Sequence, residues 1–273
     1  VSPAEIQMQG WLSLCFGAKG VAYYPSAHRD DTISNYRNTW SGMFKPNASN
    51  TQMVIDSIRY NAVQKLNAEI DSISSVIMRL KWINSYSTAS QDEYGALISQ
   101  TPIQLIQTKN LNNIADADVH RFAQVSYFKH DRESDSTRYF IVMNRRVMSN
   151  EYRFIRIVFD NLNTYYNTNY ANWKVTDVKK DTSYTIPANG EYTFLCPPGE
   201  GKLFKLQPVV KSGYGKIKYD ETINEVVTVP TDKTLNVEPG VTLNFGNAGR
   251  FYCNGTLNIN GTADSMVNVV FDS

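Results

Sequence analysis

The chain has 273 residues, with 27 basic and 26 acidic side chains and a formal net charge of +1. Its Lys and Arg are scattered, which excludes the clustered basic face of a nucleic-acid footprint, and no apolar run is long enough to cross a bilayer. A chain of this length is expected to hold two or three domains, each with its own core. It opens Val1-Ser2-Pro3, with no initiator methionine and no basic stretch leading into an apolar one. The expectation is a mature or excised segment.

Residues 3–19 read as a helix. Ser2 supplies a cap, and Pro3 occupies the first helical position, where a missing N–H does no harm. Ile6, Gln9, Leu12 and Phe16 keep helical spacing, while Met8, Trp11, Leu14 and Cys15 widen the apolar face. Gly17 and Gly20 end it. Residues 20–25 read as a short buried strand stopped by Pro25. A polar, aromatic loop runs from Ser26 to about Asn50. A second helix is predicted over 51–82, with Ile55, Ile58, Ala62, Leu66, Ile70, Ile73, Ile77 and Leu80 forming one apolar stripe. These elements cannot close a core alone and read as the last helix–strand–helix of a βα repeat.

From about residue 103 the period changes to two. Strands are predicted at Val119–Lys129, Arg138–Asn144, Tyr152–Asp160, Trp173–Val178, Ser183–Ile186, Tyr192–Leu195 and Lys202–Pro208. Short strands separated by Asn, Gly and Pro indicate an antiparallel β-sandwich. The last segment repeats itself. Leu235-Asn236-Val237 returns as Leu257-Asn258-Ile259, and Val241–Phe245 returns as Val267–Phe271. With Gly240, Gly246, Gly255 and Gly261 at the corners, this predicts the start of a β-solenoid with an exposed end. The fold class is thus multidomain α/β plus all-β. The expected domains are 1–84, the end of a barrel; 85–102, a linker; 103–212, the sandwich; and 213–273, the opening of a right-handed parallel β-helix.

Three cysteines, Cys15, Cys196 and Cys253, are odd in number and lack metal-ligand spacing. They read as three buried thiols, with a Cys15–Cys196 disulfide the weaker alternative. Abundant tyrosine (17) and asparagine, with only 19% charged residues, suit the polar strands of extracellular carbohydrate proteins.

Ser2-Pro3-Ala4-Glu5-Ile6-Gln7-Met8-Gln9, followed by Leu14-Cys15-Phe16-Gly17-Ala18-Lys19-Gly20-Val21-Ala22-Tyr23-Tyr24, resembles the end of a glycoside hydrolase (β/α)₈ barrel. Arg138-Tyr139-Phe140-Ile141-Val142-Met143-Asn144-Arg145 and Pro198-Gly199-Glu200-Gly201-Lys202-Leu203-Phe204 resemble two strands of the sandwich appended to such barrels. Residues 235–273 resemble the first coils of right-handed parallel β-helices in large bacterial surface proteins.

The resemblance implies a secreted or cell-surface bacterial protein acting on a polysaccharide or oligosaccharide, joined to further domains of the same polypeptide. Glycoside hydrolysis uses two carboxylates flanking the scissile bond. In common retaining barrels these follow strands four and seven, which lie upstream of Val1 if residues 3–19 are helix seven. The catalytic residues are therefore unknown, and Glu5 reads as a helix-dipole partner. The loop after strand eight reaches the catalytic face. Tyr24, His28, Arg29, Asp30 and Trp40, with Asp31 beside them, are the candidate sugar-binding residues; a solvated loop with Trp40 packed on the barrel rim is the plainer reading.

His28 with Asp30 and Asp31 falls short of a metal-ligand set. The run Asp131-Arg132-Glu133-Ser134-Asp135 lacks the glycine and terminal glutamate of a calcium loop and reads as a hairpin tip. His120 and His130 read as strand-end residues. No Ser-His-Asp order, phosphate-cradling glycine loop or CxxC appears, so neither metal nor cofactor is expected. Asn47, Asn254 and Asn260 head glycosylation sequons that carry no weight for a bacterial source. The alternative reading is a non-catalytic glycan-binding or adhesin-like surface protein.

Overall fold

The N-terminal helix, α1 (Pro3–Cys15), starts where the cap predicts. Glu5 N–H donates to Ser2 Oγ, and Ser2 N–H donates to the Glu5 carboxylate at 2.6 Å, a reciprocal capping box. The bond from Ser2 N–H first, and then the Ser2 hydroxyl, hold the Glu5 carboxyl below its usual range. At the other end Ala18 N–H returns to Ser13 O and Gly17 N–H to Leu14 O, with Gly17 at φ +87°. That pair of bonds closes the helix as a Schellman turn.

The computed structural model describes residues 2–22, 29–30, 39–40, 43–46, 49, 52–131, 137–166, 172–209, 213–223, 226–246 and 249–271. Gly20–Ala22 is not a strand, and Tyr23–Pro25 lies outside the described residues. Two short ladders follow: β1 (Arg29–Asp30) with β2 (Thr39–Trp40), and β3 (Phe44–Pro46) with β4 (Met53–Ile55). The second helix, α2, covers Ser57–Ile77 rather than 51–82. Asp56 caps it by accepting from Arg59 N–H, so Ile55 falls in a strand and Leu80 begins the next one. Ile55 and Ile58 are exposed.

Strand β5 (Leu80–Ser87) and helix α3 (Gln91–Gln100) occupy most of residues 85–102, where a linker was expected. Both belong to the β-rich unit, since Tyr86 and Leu97 sit in its core. Ser90 accepts from Glu93 N–H to start α3, a capping signal readable in the sequence as Ser90-x-x-Glu93.

The antiparallel strands follow as β6 (Ile103–Lys109), β7 (Ala123–His130), β8 (Arg138–Asn144), β9 (Arg153–Phe159), β10 (Asn172–Asp177), β11 (Thr182–Pro187), β12 (Glu191–Cys196) and β13 (Gly201–Val209), with a short helix α4 (Leu162–Tyr166) after β9. Residue 119, expected to start a strand, lies instead in a 3₁₀ turn (Asp118–His120). Six strands form one sheet in the order β11-β10-β13-β8-β7-β5, and three form a second, β12-β9-β6. Phe140, Val142, Trp173, Phe204 and Leu206 from the first meet Ile155, Ile157, Phe159 and Phe194 from the second in one core.

The larger sheet is covered on both faces. Strand β8 sends Phe140 and Val142 toward the second sheet, and Tyr139, Ile141 and Met143 toward the helices. Tyr139–Asn144 is therefore buried without interruption, as strands sandwiched between two layers are. Trp11, Leu14, Leu66, Ile73 and Ile77 complete that second core. The two helices thus do close a core, against this sheet. Three glycines let α1 seat closely. A Cβ at Gly10 would overlap Leu66, one at Gly199 the backbone of Ala4, and one at Gly201 would come within 2.6 Å of the Trp11 ring.

The last strands are β14 (Gly215–Ile217), β15 (Glu221–Ile223), β16 (Val226–Val229), β17 (Thr234–Val237), β18 (Thr242–Phe245), β19 (Arg250–Cys253), β20 (Thr256–Ile259) and β21 (Asn268–Phe271). All pair in parallel, in three small sheets: β14-β17-β20, β15-β18-β21 and β16-β19. The echoed residues are the paired ones: Leu235 opposes Leu257, Val237 opposes Ile259, and Phe245 opposes Phe271. Asn258 donates to Asn236 at 2.9 Å, bonding one echoed residue to the other. Val229, Leu235, Val237 and Leu243 lie in the apolar interior, whereas Phe271 in the last strand is 70% exposed. Cys253 is exposed, not buried, because β19 has a described neighbour on one side only. Cys15 and Cys196 are buried free thiols, each pushed up to about 12 chiefly by burial.

Glu221 is buried where the parallel strands begin, within electrostatic reach of Lys174 on β10 and Lys205 on β13. Burial pushes its carboxyl up to about 7, and the two lysines pull it partly back. The folded chain therefore holds this proton more tightly than the unfolded chain, whose ordinary value is 4.5. Its contribution to stability is complete below about 4.5, is lost as pH rises to about 7, and stays lost above, a span of at most about 3 kcal/mol. Glu221→Gln is expected to flatten that slope and to raise the urea midpoint at pH 8. Parallel midpoint-versus-pH curves for the two proteins would contradict it.

Candidate binding cleft

The sequence-predicted loop residues divide into two groups. Tyr24, His28 and Asp31 lie outside the described residues. For Arg29, Asp30 and Trp40 the backbone is described: Arg29 pairs with Trp40 and Asp30 with Thr39 in an antiparallel ladder. This ladder brings these three positions together. Asp131 is described, but the acidic run beyond it, 132–136, is outside. No group of three or more metal-ligating side chains occurs among the described residues. His120 ends the 3₁₀ turn, and His130 ends β7.

A cleft that the sequence reading did not single out opens where the edge strands β11 and β12 of the two sheets approach the helices. Its volume is about 450 Å³, within the range of small-molecule sites. Glu69 forms one wall. It lies three residues after Leu66 and four before Ile73, so helical geometry places it on the buried side of α2, and it is 6% exposed. Trp11 Nε1 donates to its Oε2 at 3.2 Å, and Lys179 Nζ lies 3.5 Å from its Oε1. A charge within an apolar helical stripe was the available signal.

Asp177, the last residue of β10, is 5% exposed and accepts from Lys180 N–H at 3.3 Å. Glu200, in the turn before β13, pairs with Lys65. The opposite wall is aromatic. The Tyr184 and Tyr192 rings are 5.0 Å apart, and Tyr192 and Phe194 are 5.7 Å apart. Lys202 Nζ stands 5.3 Å from the Phe194 centroid. Burial, with Tyr184 and Asp177 adding to it, raises the Tyr192 phenol, which stays neutral and able both to donate and to accept. Tyr184, at 46% exposure, is the ring most open to solvent.

The cleft therefore offers carboxylate acceptors, ammonium donors, a neutral phenol and ring faces. Lys65 pairs with Glu200, and Lys179 with Glu69. The buried thiol of Cys196, near Glu69 and Glu200, is too weak an acid to act as a nucleophile at neutral pH.

No protein-family model matches this chain, and no curated protein matches it in sequence. A solved structure of a GH27 β-L-arabinopyranosidase from Geobacillus stearothermophilus, in complex with arabinose, matches part of it. The identity is 12% and the TM-score 0.24, and the match covers 32% of this chain and 18% of that one. No helix among the described residues is long and apolar enough to cross a membrane.

Proposed function

We propose that this chain is the rear portion of a glycoside hydrolase-like, carbohydrate-active protein. In this reading α1 and α2 are the last helices of a (β/α)₈ barrel and the two antiparallel sheets are its appended sandwich. The parallel strands are the first coils of a right-handed β-helix, and the exposed Phe271 side receives a further coil. The protein is secreted or displayed on a bacterial surface, and the catalytic carboxylates precede Val1.

One observation carries the reading. The three segments that separately resemble such proteins meet at one place. The Tyr139–Asn144 strand and the Gly201–Phe204 strand are paired neighbours, with Phe140 opposite Phe204. The Ala4–Trp11 helix lies across both, its backbone against Gly199 and its indole against Gly201. Segments distant in sequence share this contact, as the reading requires.

The chain alone is expected to leave aryl glycosides intact, while a protein extended upstream of Val1 hydrolyses them. In that longer protein Trp40→Ala is expected to raise KM about tenfold with a smaller change in kcat, as the loss of a binding contact does. Turnover by the chain alone that disappears in Glu5→Gln would place the chemistry in α1 and overturn the reading.

A further inference from the structure

We infer that the cleft between β11, β12 and the two helices is a separate binding site for a neutral saccharide of one or two pyranose units. The class of ligand rests partly on the carbohydrate reading above; the place rests on the cleft itself.

Charge comes first. Glu69, Asp177 and Glu200 face Lys179, Lys180 and Lys202 around one cavity, three acids against three bases. A balanced lining gives no net attraction to a uronate, a phosphate or an amino sugar, yet it is dense in hydrogen-bonding groups. A neutral polyhydroxylated ligand uses both signs at once: carboxylates accept from hydroxyls, ammonium groups donate to them, and each such bond is charge-assisted. Shape comes second. The Tyr184 ring, half open to solvent and braced by Tyr192, offers a flat apolar face. The electron-rich face of an aromatic ring attracts the C–H-bearing face of a pyranose, as it attracts other positive edges. Volume comes third. A cavity of about 450 Å³ is of the size that holds a small ligand.

Rigidity supports the assignment. Asp177 and Glu69 are almost wholly buried and held by Lys180 N–H, Trp11 Nε1 and Lys179. Acceptors fixed before the ligand arrives lose little entropy on binding. This site stands on different elements from the Arg29–Trp40 ladder, so the two can be separated by mutation.

The test is isothermal titration of the whole chain with glucose, galactose, mannose, arabinose and their β-linked disaccharides, with galacturonate and glucosamine as charged controls. At least one neutral sugar is expected to bind with millimolar or tighter affinity. Tyr184→Ala, which removes a half-exposed ring, is expected to weaken it about tenfold without moving the thermal midpoint. Asp177→Asn is expected to weaken it as well, and Trp40→Ala to leave it unchanged. The inference is overturned if no neutral sugar binds at about 10 mM, if only charged sugars bind, or if Tyr184→Ala and Asp177→Asn both leave affinity within twofold. Binding lost in Trp40→Ala but kept in Tyr184→Ala overturns the cleft and leaves the carbohydrate reading standing. Failure of that reading appears separately, as absent hydrolysis by the longer protein.

Discussion

Gly199→Ala is expected to destabilise the chain by about 3 kcal/mol. Two independent penalties combine there. Gly199 has φ +72°, a conformation that a side chain with a Cβ adopts only at a price in strain. The added methyl would also run into the backbone carbonyl of Ala4, which cannot rotate away as a side chain can. Relief requires the first turn of α1 to lift from the sheet, and Trp11, farther along the same helix, to move with it. The predicted signature is a lowered urea midpoint together with weaker binding in the cleft that Trp11 lines. Gly95→Ala is the control. Gly95 is exposed in α3, with open space around its position and no positive φ, so alanine there is expected to stabilise by about 0.5–1 kcal/mol. Equal effects of the two substitutions would mean that α1 is not seated as described.

Phe140→Ala is expected to cost about 4 kcal/mol. Its ring centroid lies 5.3 Å from Phe204 and 6.1 Å from both Tyr127 and Phe159. Phe159 belongs to the second sheet, so Phe140 ties the two sheets together. Truncation removes the apolar contacts and leaves a cavity that close-packed neighbours fill only in part. Phe140→Leu, which keeps most of the volume, is expected to lose much less. The next residue provides a contrast. Ile141→Ala empties space on the opposite face, under the helices, and is expected to loosen α1 and α2 while the two sheets stay joined. Urea unfolding followed by near-ultraviolet circular dichroism distinguishes the cases. A loss below about 1 kcal/mol for Phe140→Ala would contradict a shared core between the sheets.

Much of the strand plan was legible because it depends on local pattern. Arg138–Asn144 was read with its observed bounds, and the other strands from Tyr152 to Pro208 within a few residues. The first strand was read too early, because residues 118–120 take up a 3₁₀ turn before β7 starts at Ala123. The echo between 235–237 and 257–259 was legible for a different reason. Parallel strands of successive turns place like residue on like residue, so the spatial neighbour repeats in the sequence. Helix α2 was overextended because apolar spacing continues past both ends, while Asp56 and the strand pairings on either side set the true limits. Residues 85–102 were read as a linker, because what makes them part of the β-rich unit is the burial of Tyr86 and Leu97 among distant residues.

The candidate sites divide in the same way. The loop residues were proposed from the kind of side chain they carry, and the structure adds the backbone pairing of Arg29 with Trp40. The cleft was not found, because Trp11, Glu69, Asp177 and Tyr184 come from four elements spread over the chain.

Local pattern was enough to define the elements: the capped first helix, the alternating strands and the self-similar last segment. Each of these rests on contacts within a few residues or within one repeat. Three outcomes emerge only once the elements pack: one sheet is buried on both faces, two helices close their core against it, and three acids and three lysines converge on one cleft. Those outcomes depend on which distant surfaces meet. A chain's local periodicity records which side of an element is apolar, but not what will cover it.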